Sequence, residues 1–236
     1  MKPTAMFWAA PVAITLILSG CSKNGGTNLA PPERSEVPPA RVGAGGAGAN
    51  LTNDDAFVRD VALKNIAEIQ LSQMALDKTS NPDIKSFAQH VVDDQRDAGE
   101  KLKSAVSAEA FDWPAELDNR HKETLDELAQ EQGAAFDRDY LKAMIESHQD
   151  LAAKLESRLD VQSLEDWKTA AAARTRSSRA MPDPHAVLSD VAVRPDTSSN
   201  AVTRKINEWA AHTYPVVQQH LDAARRLESP TTGRGL

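Results

Sequence analysis

The sequence places a small set of polar residues on the apolar faces of its predicted helices. When residues are set at about 100° per step, the apolar stripes of four helices enclose polar side chains near the middle of each helix. These side chains are Asn65, Glu68, Gln95, His148 and His220. Midpoints of neighbouring antiparallel helices lie at similar heights, so we expect the five side chains to meet in one buried polar layer.

Glu68, His148 and His220 have the side chains of metal ligands. Two imidazoles and one carboxylate suit a single iron, zinc or manganese ion, so a one-metal site is one hypothesis for the layer. A di-iron centre in a helix bundle needs about four carboxylates and two histidines. The layer has one carboxylate, with Asp94 at the edge of its stripe. This shortage disfavours oxidase or ferroxidase chemistry.

A hydrogen-bond network without a metal is the hypothesis that we favour for the same residues. An isolated ionised Glu68 in the core would cost several kcal/mol, so it must be paired, metal-bound or protonated. Pairing with His148 or His220 would satisfy it, while Asn65 and Gln95 use the remaining donors and acceptors. Such a layer would fix the register of the helices, as one buried polar residue does in coiled coils. We therefore expect no cofactor.

The apolar periodicity predicts an all-α protein, an antiparallel four-helix bundle over residues 52–228. Thr52 with Asp55 predicts the first helix start, and Asn81 followed by Pro82 predicts the second. The four long helices are predicted at 52–78, 82–107, 135–159 and 203–227, with a short extra helix at 117–132. Residues 160–202 are interpreted as an insertion of low order that contains a helix around Trp167, and 229–236 as a disordered tail. Pro215 predicts a kink in the last helix.

The N-terminus predicts a lipid anchor. An apolar run of 14 residues, Ala5 to Leu18, follows Lys2 and precedes Leu18-Ser19-Gly20-Cys21. This is a secretory signal over residues 1–20, too short to span a bilayer core of about 30 Å, and it resembles a bacterial lipobox in which Cys21 is acylated. Ser22 after the cysteine resembles the signal for transfer to the outer membrane. Residues 21–51 are rich in Gly, Pro and Ala and predict a flexible tether with a reach of roughly 30 Å.

The composition excludes several classes of function. The chain has a net charge of −7, and −8 after loss of the signal with Lys2, without a basic cluster, which argues against nucleic acid as a partner. The only cysteine is Cys21, so no internal disulfide can form. We find no nucleophile–base constellation, no phosphate-binding loop and no zinc-type cysteine spacing, and therefore no catalytic residue.

Several motifs together resemble the domain of unknown function 4142 family, bacterial envelope proteins of the ferritin-like superfamily. The motifs are Asp55-x-Phe57, Asn65-x-x-Glu68-Ile69, Phe87-Ala88, Phe136-Asp137-x-x-Tyr140 with His148, and Pro215 with His220-Leu221. The resemblance covers about 52–159 and 203–227 and implies a ferritin-like fold and an envelope location, but no established activity. The family tends to have Asp-His where this chain has Asp94-Gln95. His90 lies about 140° around the helix from Gln95 and does not replace that histidine.

These inferences together predict a module of the cell envelope. We expect a protein that is lipid-anchored in the outer membrane, faces the periplasm and has a structural or stress-associated role without catalysis. A metal-binding ferritin-like protein is one alternative. An adaptor is another, with a protein partner docked on the segment around Trp167 or in the groove beside Pro215. The oligomeric state is not indicated by the sequence.

Overall fold

Helices make up the regular structure of the described residues. The computed structural model describes residues 45–106, 111, 113–177 and 189–229, within which it has six α-helices and no sheet. The helices are α1 (Gly45–Lys78), α2 (Pro82–Val106), α3 (Asn119–Gln130), α4 (Gly133–Glu156), α5 (Val161–Ser177) and α6 (Ala201–Glu228). The predicted all-α class is thereby confirmed. The predicted signal sequence, Cys21 and residues 230–236 lie outside the described residues.

Side-chain caps fix the starts of three helices. The Asn81 Oδ1 accepts a hydrogen bond from the Asp83 amide (2.9 Å), and Pro82 occupies the first helical position, where a missing N–H costs nothing. Asp118 caps α3 through the amide of His121 (3.0 Å). Asn200 caps α6 through the amides of its second and third residues. The predicted start of the second helix at Asn81-Pro82 is therefore confirmed.

Two helix boundaries differ from their predictions. α1 begins at Gly45, so Thr52 lies inside the helix instead of at its start. There is no proline between Pro39 and Thr52. Because proline is the residue that lacks a backbone N–H, the helix can extend towards the N-terminus without losing a hydrogen bond. Gly133 has a φ of 56°, a left-handed conformation that glycine tolerates, and it begins α4 directly after the short turn that ends α3.

The helices pack so that the apolar core falls into two clusters. α1 contacts α2 and α4, and α6 also contacts α2 and α4, while α3 lies against α1 and α4. One cluster contains Val58, Leu102, Leu155 and Ile206, and the other contains Leu71, Phe87, Tyr140 and Ala224. No helix in the described part of the chain is long and apolar enough to cross a membrane.

The segment after α4 belongs to the core. The predicted helix around Trp167 is confirmed, because α5 spans Val161–Ser177. This helix buries Leu164, Trp167 and Ala171 in the first apolar cluster, so it is part of the core. The Trp167 ring packs edge-on against Tyr214 of α6, with ring centroids 5.2 Å apart. An isolated β-bridge between Leu159 and Pro195 places the segment before α6 beside the residues that follow α4.

Trp167→Ala is therefore expected to destabilise the fold by about 3–5 kcal/mol, the usual cost of truncating a buried tryptophan. The measurement is urea unfolding followed by circular dichroism. Val161→Ala, on the same helix but with 74% of its surface exposed, is the control and should change the unfolding free energy by less than about 0.5 kcal/mol. Equal effects of the two substitutions would show that α5 does not contribute to the core.

Candidate functional site

The five predicted polar residues lie between the two apolar clusters. On each of α1, α2, α4 and α6 the layer residues separate a stretch that packs in one cluster from a stretch that packs in the other. The structure thus brings Asn65, Glu68, Gln95, His148 and His220 to a common height. Glu68 and His148 are both 0% exposed, and His220 is 1% exposed.

Glu68 is a buried carboxylate whose two oxygens both accept hydrogen bonds from the protein. Its Oε1 accepts from the Ser147 hydroxyl of α4 (2.5 Å), and its Oε2 accepts from the side-chain amide of Gln95 on α2. Gln95 is itself held by Asn65, whose Nδ2 donates to the Gln95 Oε1 (2.9 Å) and to its backbone carbonyl. Charge-assisted bonds of this kind offset the cost of removing an ionised carboxylate from water.

A glycine allows α1 to approach α2 at this level. A Cβ atom built on Gly99 would lie 3.0 Å from the Oδ1 of Asn65. Asn65 therefore occupies the space that any other residue at position 99 would need. The close approach is what lets the Asn65 amide reach both the backbone and the side chain of Gln95.

The two histidines form a second chain of hydrogen bonds with a defined direction. His148 Nδ1 lies 2.9 Å from the Met144 carbonyl, which can only accept, so this nitrogen donates. The Nε2 of neutral His148 then accepts from Nδ1–H of His220 (3.2 Å). Nε2 of His220 lies 2.9 Å from the Asp94 carboxylate. If His148 is neutral, His220 has acceptors on both sides, and its two ring nitrogens would each donate, one to His148 and one to the Asp94 carboxylate.

Burial keeps His148 in its neutral form. The pKa of His148 is lowered first by its removal from water, while the Glu68 carboxylate, 3.6 Å from Nδ1, raises it and His220 lowers it again. A neutral ring is what the chain of hydrogen bonds needs, because only a neutral His148 offers a lone pair to His220. The lowered pKa of His148 and the direction of its hydrogen bonds therefore agree.

Sequence reasoning missed Ser147 as a member of the layer and did not assign Asp94 to it. Ser147 supplies a donor to Glu68, and Asp94, placed only at the edge of its stripe, accepts from His220. Below the layer, the hydroxyls of Ser72 and Tyr140 lie 3.0 Å apart, and burial raises the pKa of Tyr140. Ser147 directly precedes His148, and a position next to a stripe residue is the only signal that could have indicated it.

The residues of the layer do not fit a metal site. Glu68 faces Nδ1 of His148, whose proton goes to Met144, whereas His220 faces Nε2 on the other side of the ring. A shared ion needs lone pairs that point to one place. In the described ranges, no group of three or more His, Cys, Asp or Glu side chains is arranged to hold an ion. Glu68, His148 and His220 form a line of contacts, which is the geometry of a hydrogen-bond network.

Comparison with known protein families gives one match. The family model described as Domain of unknown function (DUF4142) matches residues 40–179, which include α1 to α5 and therefore Asn65, Glu68, Gln95 and His148. α6, which contains His220, lies beyond the matched range. Neither a curated protein nor a solved structure matches the chain.

The lowered pKa of His148 makes stability depend on pH. In the unfolded chain this histidine titrates near 6.5, and in the folded protein it titrates lower, so its contribution is complete above about pH 6.5 and is lost as the pH falls below that value. On its own, His148 should lower the free energy of unfolding by up to about 1.4 kcal/mol per pH unit in that window.

Urea unfolding at pH 7.0 and 5.5 measures this slope. His148→Gln, which cannot titrate, should lose less stability than the parent between these two pH values. His212→Gln removes an exposed histidine of α6 and serves as the matched control, with a slope like that of the parent. A His148→Gln slope equal to the parent's would contradict the prediction.

Proposed function

We propose that the chain, which belongs to the DUF4142 family, is a non-catalytic structural or stress-associated module of the bacterial envelope that is lipid-anchored and faces the periplasm. The observation that supports a structural role is the closed state of the polar layer. Both oxygens of Glu68 accept from protein donors and the residue is 0% exposed, so its carboxylate is engaged within the layer and does not face solvent. A site built for acid–base chemistry would instead expose such a group to a cleft.

The proposed topology is an antiparallel four-helix bundle of the ferritin-like kind, formed by α1, α2, α4 and α6. Pairs of contacts support the antiparallel directions. Ser72, late in α1, contacts Tyr140, early in α4, whereas Asp54 near the other end binds Arg158 just after α4 (2.5 Å). On α2 and α6, Asp94 meets His220 and Ala98 meets Trp209. The polar layer would then act as a clamp that fixes the register of all four helices.

The anchoring part of the proposal rests on the N-terminal sequence. Acylation of Cys21 would hold the protein at a membrane, since several acyl chains at about 0.8 kcal/mol per buried methylene give durable attachment. The tether that follows would place the helices some distance from the bilayer. Ser22 supports transfer to the outer membrane, which leaves the helical module in the periplasm.

Metal content is the direct test of the structural role. The full-length protein, purified without chelator or affinity metal, should contain less than stoichiometric iron, zinc and manganese, because its candidate ligands are engaged with one another. Its midpoint of thermal unfolding should not change on addition of a chelator. One equivalent of metal in the parent that is absent from Glu68→Gln/His148→Ala would instead support a metal-binding ferritin-like protein.

Labelling with radioactive palmitate in growing cells tests the anchor. The parent should incorporate label and fractionate with the outer membrane, and Cys21→Ser should do neither. Ser22→Asp is the matched control for sorting and should remain labelled but move to the inner-membrane fraction. Labelling of the Cys21→Ser protein, or its continued presence in the membrane fraction, would contradict the proposed anchor.

A further inference from the structure

A cavity lies beside the polar layer, between α1 and α2. It has a volume of about 270 Å³ and is covered on one side by Trp113 and Pro114 of the α2–α3 connection. Its walls are mostly apolar side chains: Val61, Ala62, Ile66, Ile69, Leu102, Leu151 and Trp209. A concave, largely apolar space with a few polar groups is the usual form of a small-molecule site.

The inner end of the cavity is rigid. The Trp209 indole N–H donates to the Ala98 carbonyl (2.9 Å), which fixes the ring of this wall residue. Asn65 is held by its two hydrogen bonds to Gln95. A preformed site avoids the entropy cost of ordering its walls when a ligand binds.

The outer end of the cavity carries charged residues of α2. Arg96, Glu100 and Lys103 line it and are all exposed to solvent. Arg96 and Lys103 are seven residues apart and so lie on the same face of the helix. Neither forms an ion pair with a carboxylate of a described residue, and the Lys103 ammonium lies over the Trp113 ring, 5.5 Å from its centroid. We call this outer end the mouth of the cavity. Its two cations and the Glu100 carboxylate give it a net charge of +1.

We propose that this cavity binds a monocarboxylate with an apolar body of about ten carbon atoms. An apolar cavity of about 150 Å³ accepts benzene, so a space of 270 Å³ accommodates a body somewhat less than twice as large. The carboxylate lies at the mouth, where the guanidinium of Arg96 can bind it with two parallel hydrogen bonds and Lys103 adds a second positive charge. The apolar body contacts Trp113 and the walls from α1. The proposal is independent of the structural function proposed above.

Decanoate is the probe for this site. The full-length Cys21→Ser chain, which has no acyl group of its own at that residue, is titrated with decanoate below its micellar concentration. Binding is followed by calorimetry and by the fluorescence of the tryptophans. We expect saturable binding of one equivalent, with decanol about tenfold weaker because it lacks the charge, equivalent to about 1.4 kcal/mol.

Substitutions on α2 separate the charged contact from the apolar one. Arg96→Gln/Lys103→Gln should weaken decanoate to the level of decanol and leave decanol unchanged. Lys101→Gln is the matched control, because it removes an exposed cation of the same helix that does not line this cavity and pairs with Asp97; its decanoate affinity should equal the parent's. Binding that does not saturate, parental affinity in the double variant, or equal affinity for decyltrimethylammonium would overturn the proposal.

Discussion

Burial of the Glu68 carboxylate, which is 0% exposed, determines how the helices around it are placed. An ionised carboxylate at this depth is stable only where donors are fixed around it. Ser147 and Gln95 supply those donors from two other helices, and Asn65 holds Gln95 in place from α1. Satisfying one acid thus sets the heights of α1, α2 and α4 relative to one another. A shift of any of these helices by one turn would leave the charge unpaired.

The histidine chain applies the same requirement to α6. The Met144 carbonyl can only accept, so a neutral His148 sets the direction of the later bonds in the chain, which ends on the partly exposed carboxylate of Asp94. The layer therefore links all four long helices and separates two apolar clusters that provide most of the buried apolar surface. Buried polar groups of this kind add less to stability than to the choice of one arrangement among several. That physical difference supports the proposed role of the layer in fixing helix register.

Periodicity alone predicted the four long helices and the set of residues in the layer, since both depend only on the angle between successive residues of a helix. It did not predict the bonding order. Ser147 and Asp94 lie at stripe edges, where a change of rotamer decides whether a side chain meets the core or water. Which nitrogen of His148 faces Glu68 depends on the Met144 carbonyl, and no residue pattern encodes this contact. The burial of α5 was missed because an apolar face of three residues, Leu164, Trp167 and Ala171, is too short to stand out ahead of the proline-containing segment that follows it.

The protonation of the two buried rings distinguishes a closed hydrogen-bond network from every alternative for this layer. Long-range proton–nitrogen correlation NMR on protein labelled with ¹⁵N at histidine measures it at pH 7. We predict that His148 is neutral, with its proton on Nδ1, and that His220 has protons on both ring nitrogens. Asp94→Asn should remove one of the two His220 protons. A proton on Nε2 of His148, or a neutral His220 in the parent, would contradict a closed network.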